Sequence, residues 1–130
     1  MTAKEYLIGI ARLDREVSAR LEQVEKLRVS VGKARMLQKS EEKGKYKSYN
    51  WETELLCDLE RLLALKQEAD RCIARFTNPD YRVLLRLRYL CANSWSEVAD
   101  KMHYSVTHIH RMHNLALAEF PLPASARAAG

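Results

Sequence analysis

Two serine residues, each placed just before an apolar helical pattern, do most to limit what this chain can fold into. Ser94 is followed three residues later by Glu97, which is the spacing of a capping box, where each side chain accepts from the other residue's backbone amide. Ser105 offers a second N-cap. The sequence therefore predicts a helix of about eight residues after Ser94, a turn of about three, and a helix of about fifteen residues after Ser105.

The segment before this pair predicts a further helix that begins at Pro79, because Asn78 is a good capping residue and proline already has a helical φ. Apolar residues recur along it at steps of three and four, and Leu85, Arg86 and Arg88 are expected to lie off the buried side. The predicted inward stripe of this helix consists of Val83, Leu84, Leu87, Leu90 and Cys91. The two later helices are expected to bury Val98, Ala99, Met102, Ile109, Met112 or His113, Ala116 and Phe120.

Two heptad-like apolar stripes lie in the first part of the chain, one from Thr2 to about Leu37 and one from near Trp51 onward. A basic segment near 38–49 separates them, and Gly44 marks its turn. Their similar length predicts an antiparallel hairpin, although the same pattern permits a coiled coil between two chains. The first stripe is Ile10, Leu13, Val17, Leu21, Val24, Leu27 and Val31; the second is Leu55, Leu59, Leu62, Lys66, Ala69, Ile73 and Phe76, widened by Leu56 and Leu63.

Composition supports an all-α protein of one or two small domains, since 130 residues contain only four glycines and three prolines. The formal charge of +5 suits a polyanionic partner. Cys57, Cys72 and Cys91 fit no metal-binding spacing and are expected to be small core residues in a reducing compartment. The sequence has no signal peptide and no apolar run that would span a membrane, so we expect a cytoplasmic protein with no membrane partner.

The helix-turn-helix sequence resembles the C-terminal DNA-binding region of bacterial sigma factors. The resemblance is carried by Trp95-Ser96-Glu97-Val98-Ala99, by Tyr104-Ser105-Val106-Thr107-His108-Ile109 and by Ala116-Leu117. With its charged, coiled-coil-like front half, the whole chain is similar to small phage and prophage transcription regulators of Gram-positive hosts, of the ArpU and RinA type. The stripes, the caps and the resemblance together predict three parts: a hairpin or coiled coil over 1–77 with its basic loop near 38–49, a sigma-like helix-turn-helix domain over 78–122, and a flexible tail over 123–130.

The sigma-like pattern implies that the helix after Ser105 enters the major groove of DNA, with Val106, Thr107, His110 and Arg111 facing the base edges. Ser105 is expected to contact a phosphate at the helix N-terminus, and His108 is expected nearby. Arg111 can bond guanine O6 and N7 together. This helix has histidines where the family usually has Arg and Lys, which predicts weak binding or dependence on a second protein.

The basic segment offers further phosphate contacts through Lys43, Lys45 and Lys47, and a solvated linker is the alternative interpretation. His103, His108, His110 and His113 fall close together, but helical spacing pairs only two of them and supplies no third ligand, so no metal site is expected. Trp95 is expected to be an anchor between the three helices.

Two classes of function remain. The first is a sequence-specific DNA-binding transcription regulator whose partners are double-stranded DNA, a second copy of the chain and RNA polymerase. The second is an interaction module that docks on RNA polymerase or another phage protein without specific DNA binding. The sequence contains no phosphate-binding glycine loop, no nucleophile paired with a base and no carboxylate cluster, so neither an enzyme nor a cofactor is expected.

Overall fold

A computed structural model describes residues 1–37 and 51–128, and all regular structure in those residues is helical. The all-α prediction is therefore confirmed. We number the helices in chain order: α1 is Ala3–Leu37, α2 is Trp51–Ile73, α3 is Pro79–Leu85 and continues as a π-helix over Arg86–Leu90, α4 is Trp95–Met102, α5 is Val106–Glu119 and α6 is Ala124–Ala128.

Helices α1 and α2 form the predicted antiparallel hairpin. Tyr6 bonds Glu68, Asp14 pairs with Lys66, Arg20 with Asp58 and Arg28 with Glu52, so the residue numbers rise along one helix as they fall along the other. Buried side chains recur at every seventh residue on both helices. Positions with this spacing face a partner helix. These buried positions are Ala3, Ile10, Val17 and Val24 on α1 and Leu55, Leu62, Ala69 and Phe76 on α2 and just after it.

The predicted widening of the α2 seam is wrong within a single chain. Leu56 and Leu63 are both exposed by more than half, and Leu59 is 38% exposed. A two-helix hairpin buries only the narrow stripe between its helices, so leucines beside that stripe stay in contact with solvent.

Helix α3 begins as predicted, because the Asn78 Oδ1 accepts from the Asp80 amide at 2.9 Å. Its buried side differs from the prediction: Leu84 and Leu85 are both fully buried, whereas Val83 is exposed. Two adjacent residues are buried because α3 packs on α2 and α5 at once. The prediction that Leu85 lies off the buried side is therefore wrong.

The π turn after α3 changes the helical phase of the residues that follow. Its hydrogen bond runs from the Cys91 amide to the Arg86 carbonyl at 2.9 Å, one residue farther than in an α-helix. Cys91, seven residues after buried Leu84, is consequently exposed, and Tyr89 is buried on the same side as Leu85. The prediction that all three cysteines lie in the core holds for Cys72 and is wrong for Cys57 and Cys91, since Cys57 lies on a side of α2 that none of the described residues covers.

The hairpin and the later helices share one buried core at the end where α1 begins and α2 ends. The Phe120 ring lies 6.1 Å from both the Tyr6 ring and the Phe76 ring. Lys66 adds a polar link, because its Nζ lies 2.8 Å from an Asp14 carboxylate oxygen and donates to the Leu90 carbonyl at 3.0 Å. We call this end of the hairpin the junction and the opposite end the distal end.

The predicted flexible tail contains helix α6. Ala126 is buried, and the Ser125 Oγ donates to the Glu68 Oε2 at 3.2 Å. These contacts hold residues 124–128 against α2. Pro123, directly before the helix, is the local sequence signal for its start, and its carbonyl accepts from the Ala126 and Arg127 amides at 3.0 Å.

Candidate nucleic-acid interface

The cap interactions of α4 and α5 fix a helix-turn-helix at the surface. The Ser94 Oγ accepts from the Glu97 amide at 3.2 Å, and the Glu97 Oε1 accepts from the Ser94 amide at 3.2 Å, so the predicted capping box is confirmed. These bonds hold the pKa of Glu97 below its usual value, because they favour the carboxylate. The Ser105 Oγ accepts from the His108 amide at 3.1 Å, which confirms the second cap.

The turn between the two helices is held by a left-handed residue and by a tyrosine. His103 has a φ of 61° and ends α4, and the Tyr104 amide bonds the Ala99 carbonyl at 3.1 Å. The Tyr104 hydroxyl donates to the Asp80 Oδ2 at 3.0 Å, which raises the pKa of Tyr104. Because Asp80 lies in the first turn of α3, this bond ties the turn to the third helix of the domain.

The outward surface of α5 carries the side chains that were expected to face DNA. Val106, Thr107, His110 and Arg111 are all exposed, whereas the opposite side of the helix is buried as predicted. The buried residues of α5 are Ile109, Met112, His113 and Ala116. We call the four exposed residues together with Ser105 the reading face.

His108 lies at the edge of the reading face rather than on it. It is half-buried, and its ring lies 4.6 Å from the Tyr104 ring. The contact restricts His108 to the side of α5 that faces the turn.

A buried polar pair lies beneath the reading face. The Tyr89 hydroxyl and the His113 Nε2 are 2.6 Å apart, and both side chains are buried. Burial, with a smaller contribution from His110, lowers the pKa of His113 to about 4, and burial raises the pKa of Tyr89. At neutral pH the tyrosine hydroxyl therefore donates to a neutral imidazole. The pair fixes α5 against the π turn.

Trp95 connects this buried pair to the surface. Its ring lies 4.7 Å from the His113 ring and 4.5 Å from the His110 ring, and the Arg88 guanidinium lies 4.3 Å from its centre. Trp95 is half-buried and packs between α5 and the π turn, as an anchor would. Its contacts hold His110, a reading-face residue, in a defined position.

Most cations of the helix-turn-helix are engaged within the chain. Residues 78–122 contain five basic and four acidic side chains. Arg82 donates to the Phe76 and Thr77 carbonyls, Arg86 pairs with Asp70, Arg88 donates to the Asn93 carbonyl, and Lys101 donates to the Asn93 Oδ1. Arg111 forms no hydrogen bond or ion pair with any of the described residues. It is thus the basic residue of this domain that is available to a ligand.

Lys43, Lys45 and Lys47 lie outside the described residues. The helix that follows them extends about 33 Å from Trp51 to Ile73 at 1.5 Å per residue. The basic segment therefore attaches at the distal end of the hairpin, whereas the reading face belongs to the domain at the junction.

Two further observations concern metals and membranes. In the part of the chain that the structure describes, no group of three His, Cys, Asp or Glu side chains is placed to hold a metal ion. Over the same residues, no helix combines the length and the apolar character needed to cross a bilayer.

The family described as "Protein of unknown function (DUF1492)" matches residues 53–121, which run from the start of α2 to the end of α5. The chain belongs to the DUF1492 family. The match crosses the boundary predicted at residue 77, so the family unit includes α2 as well as the helix-turn-helix. No curated protein and no solved structure matches the chain.

Proposed function

We propose that this DUF1492 protein is a sequence-specific, double-stranded-DNA-binding transcription regulator, encoded by a phage or prophage. The proposal assigns it a cytoplasmic location and no catalytic reaction. The observation that carries the proposal is the reading face: a Ser-capped helix presents four outward side chains, including an arginine that pairs with none of the described residues, on a rigidly packed helix-turn-helix. The likeness of Trp95-Ser96-Glu97-Val98-Ala99 and its continuation to sigma factors supports the same function.

Each residue of the reading face has a chemical role in this proposal. Arg111 bonds the O6 and N7 of a guanine in the major groove, and Val106 and the Thr107 methyl pack on a thymine methyl. His110 reaches a neighbouring base edge. Ser105 and the first amides of α5 contact a backbone phosphate, and His108 lies beside them.

The lysines of the basic segment would act on a different part of the duplex. Lys43, Lys45 and Lys47 contact phosphates in this proposal and add attraction without sequence preference.

The second candidate is an interaction module that docks on RNA polymerase or another phage protein. Two observations favour it: the helix-turn-helix has a nearly balanced charge, and the distal end of the hairpin exposes several leucines. A helix-turn-helix with so little net charge attracts DNA poorly by itself. RNA polymerase could also act together with DNA, by holding a weak DNA binder at a promoter.

Selection from a random duplex library with the full-length protein tests the proposal. We expect an enriched sequence that contains a guanine, followed by a linear fall of log K with log salt. Replacing Lys43, Lys45 and Lys47 with Gln should weaken all duplexes alike and flatten that slope by about 0.9 for each phosphate that the variant no longer neutralises. If no duplex binds at low salt, DNA binding is refuted and the interaction module becomes the function to test.

A further inference from the structure

Three leucines of α2 are exposed on one side of the distal half of the hairpin. Leu56, Leu59 and Leu63 are spaced by three and four residues, so they project from the same side of α2. Their exposed fractions are 56%, 38% and 57%. Leu21 of α1, which is 43% exposed, lines the same groove as Leu56 and Leu59. We call these four side chains the leucine face.

The opposite side of the same hairpin is closed by ion pairs. Arg20 bonds both Asp58 and Glu54 across the two helices. Residues two apart on a helix point in nearly opposite directions, so these carboxylates lie on the other side of α2 from Leu56. Leu27, one heptad after Arg20, is also exposed on this side. The side with Leu56, Leu59 and Leu63 has more exposed leucines and is therefore the more apolar of the two.

Two ion pairs lie around the leucine face, and Glu25, which also lines the groove, forms no ion pair with any of the described residues. Arg28 and Glu52 line the groove and lie 2.7 Å apart, and the Asp14–Lys66 pair lies toward the junction at 2.8 Å. A face with little unpaired charge fits an uncharged apolar surface better than it fits a nucleic acid or a strongly charged protein.

The spacing of the leucines on α2 is nearly symmetric about residues 59 and 60. If a second α2 runs antiparallel across the first at that point, Leu56 of each chain lies opposite Leu63 of the other, and the two Leu59 side chains meet near the axis. A two-fold interface needs a surface that complements itself in this way. The hairpin face is about 30 Å long and about 20 Å wide, roughly 600 Å², which is of the order of the 800 Å² per partner that stable dimers bury.

We propose that the leucine face binds a second copy of this chain, with α2 antiparallel to α2 of the partner, to form a four-helix bundle. The heptad seam predicted from the sequence is buried between α1 and α2 of one chain. The dimer instead buries the leucine face. The two copies of Ile73 would then lie about 40 Å apart. If DNA binding as proposed above also holds, the two reading faces would reach half-sites more than one helical turn apart.

Sedimentation equilibrium of the full-length protein without DNA tests this proposal independently of its function. Between about 1 and 200 µM, a range that covers micromolar dissociation constants, we expect the wild type to reach twice the chain mass of 15.1 kDa. Leu56→Glu/Leu63→Glu should remain at the mass of one chain, because four carboxylates would enter the interface. The matched control is Arg61→Glu, which changes the net charge by the same amount on the far side of α2 and should remain dimeric. All three proteins should keep the same helicity.

A disulfide tests the geometry of the dimer. In a Cys57→Ser/Cys91→Ser background, Leu59→Cys should form an interchain disulfide on oxidation, whereas Arg61→Cys should not. A wild type that remains at one chain mass at the highest concentration would overturn the proposal, as would a dimer that survives the double glutamate variant. A disulfide that forms equally at 59 and 61 would overturn the antiparallel arrangement.

Discussion

The junction and the distal end of the hairpin have the same heptad pattern and differ in how many helices cover them. At the junction, Leu7, Ile10 and Ile73 are almost completely buried, because α3 and α5 pack against α1 and α2. At the distal end, Leu27 and Leu56 remain exposed. A heptad repeat therefore specifies that two helices pair, but a third layer is required before their flanking leucines are removed from water.

The largest expected difference in stability is between two Leu-to-Ala variants, one at each end of α1. Leu7→Ala should lower the free energy of unfolding by about 2–5 kcal/mol, because it leaves a cavity in the shared core. Leu27→Ala, at an exposed position of the same helix, should change it by less than about 0.5 kcal/mol. Urea unfolding of both variants measures the difference. Equal losses would mean that the two ends are covered alike.

Acid should destabilise the junction through His113. Its pKa is about 4 in the folded protein and 6.5 in the unfolded chain, so the unfolded state binds more protons between those values. Stability should be fully present above about pH 6.5 and should fall by up to about 3 kcal/mol as the pH drops toward 4. Urea unfolding at a series of pH values checks this. In Tyr89→Phe/His113→Leu, the loss over that range should be smaller, and an unchanged pH profile would contradict the assignment.

Two ion pairs of the hairpin should differ in how much they stabilise the protein, and the pair nearer the junction should contribute more. Lys66→Met removes the partner of Asp14 and the donor to the Leu90 carbonyl, in a place where both charged side chains are mostly covered. We expect a loss of about 1–3 kcal/mol. Arg28→Met breaks an exposed pair with Glu52 and should leave the free energy of unfolding almost unchanged, because solvent screens the pair. Thermal unfolding of the two variants measures both losses of stability. Equal losses would contradict the expected difference between the two ends.

A smaller effect of opposite sign is expected at Ala92, which follows the π turn. Its φ of 57° lies in the left-handed region, where a Cβ is unfavourable. Ala92→Gly should stabilise the protein by about 0.5–1 kcal/mol, because relief of that strain exceeds the added freedom of the unfolded chain. Ala19→Gly, in the exposed middle of α1, should instead destabilise by about 1 kcal/mol. Calorimetry should show a higher melting temperature for the first variant and a lower one for the second.

The sequence predicted the elements whose signals are local. Asn78, Ser94 and Ser105 mark helix starts by themselves, because a cap bonds amides only two or three residues away. The inward residues of α4 and α5 followed from helical spacing. The outward placement of Arg111 and the other residues of the reading face was implied by the resemblance to sigma factors, and these side chains are exposed.

What the sequence could not predict depends on contacts between distant helices. The burial of Leu85 and Tyr89 beside Leu84 requires packing on two sides, and the four-residue spacing of Leu85 and Tyr89 is the sequence signal for it. Lys66 interrupts an apolar seam. Only the folded chain shows that its ammonium group pairs with Asp14 and donates to the Leu90 carbonyl. The position of helix α6 against α2 likewise depends on its contact with Glu68.

The most direct test of the DNA-binding claim is the effect of Arg111→Ala on a selected duplex and on a random duplex, measured at one salt concentration. If Arg111 bonds a guanine as proposed, binding should weaken by about 1–3 kcal/mol on the selected site and by much less on the random one, because only the selected site always has the guanine in place. Arg15→Ala, which removes an exposed arginine from α1, should affect both duplexes equally and slightly. If Arg111→Ala weakens both duplexes by the same factor, Arg111 contacts phosphate and α5 does not read sequence through it.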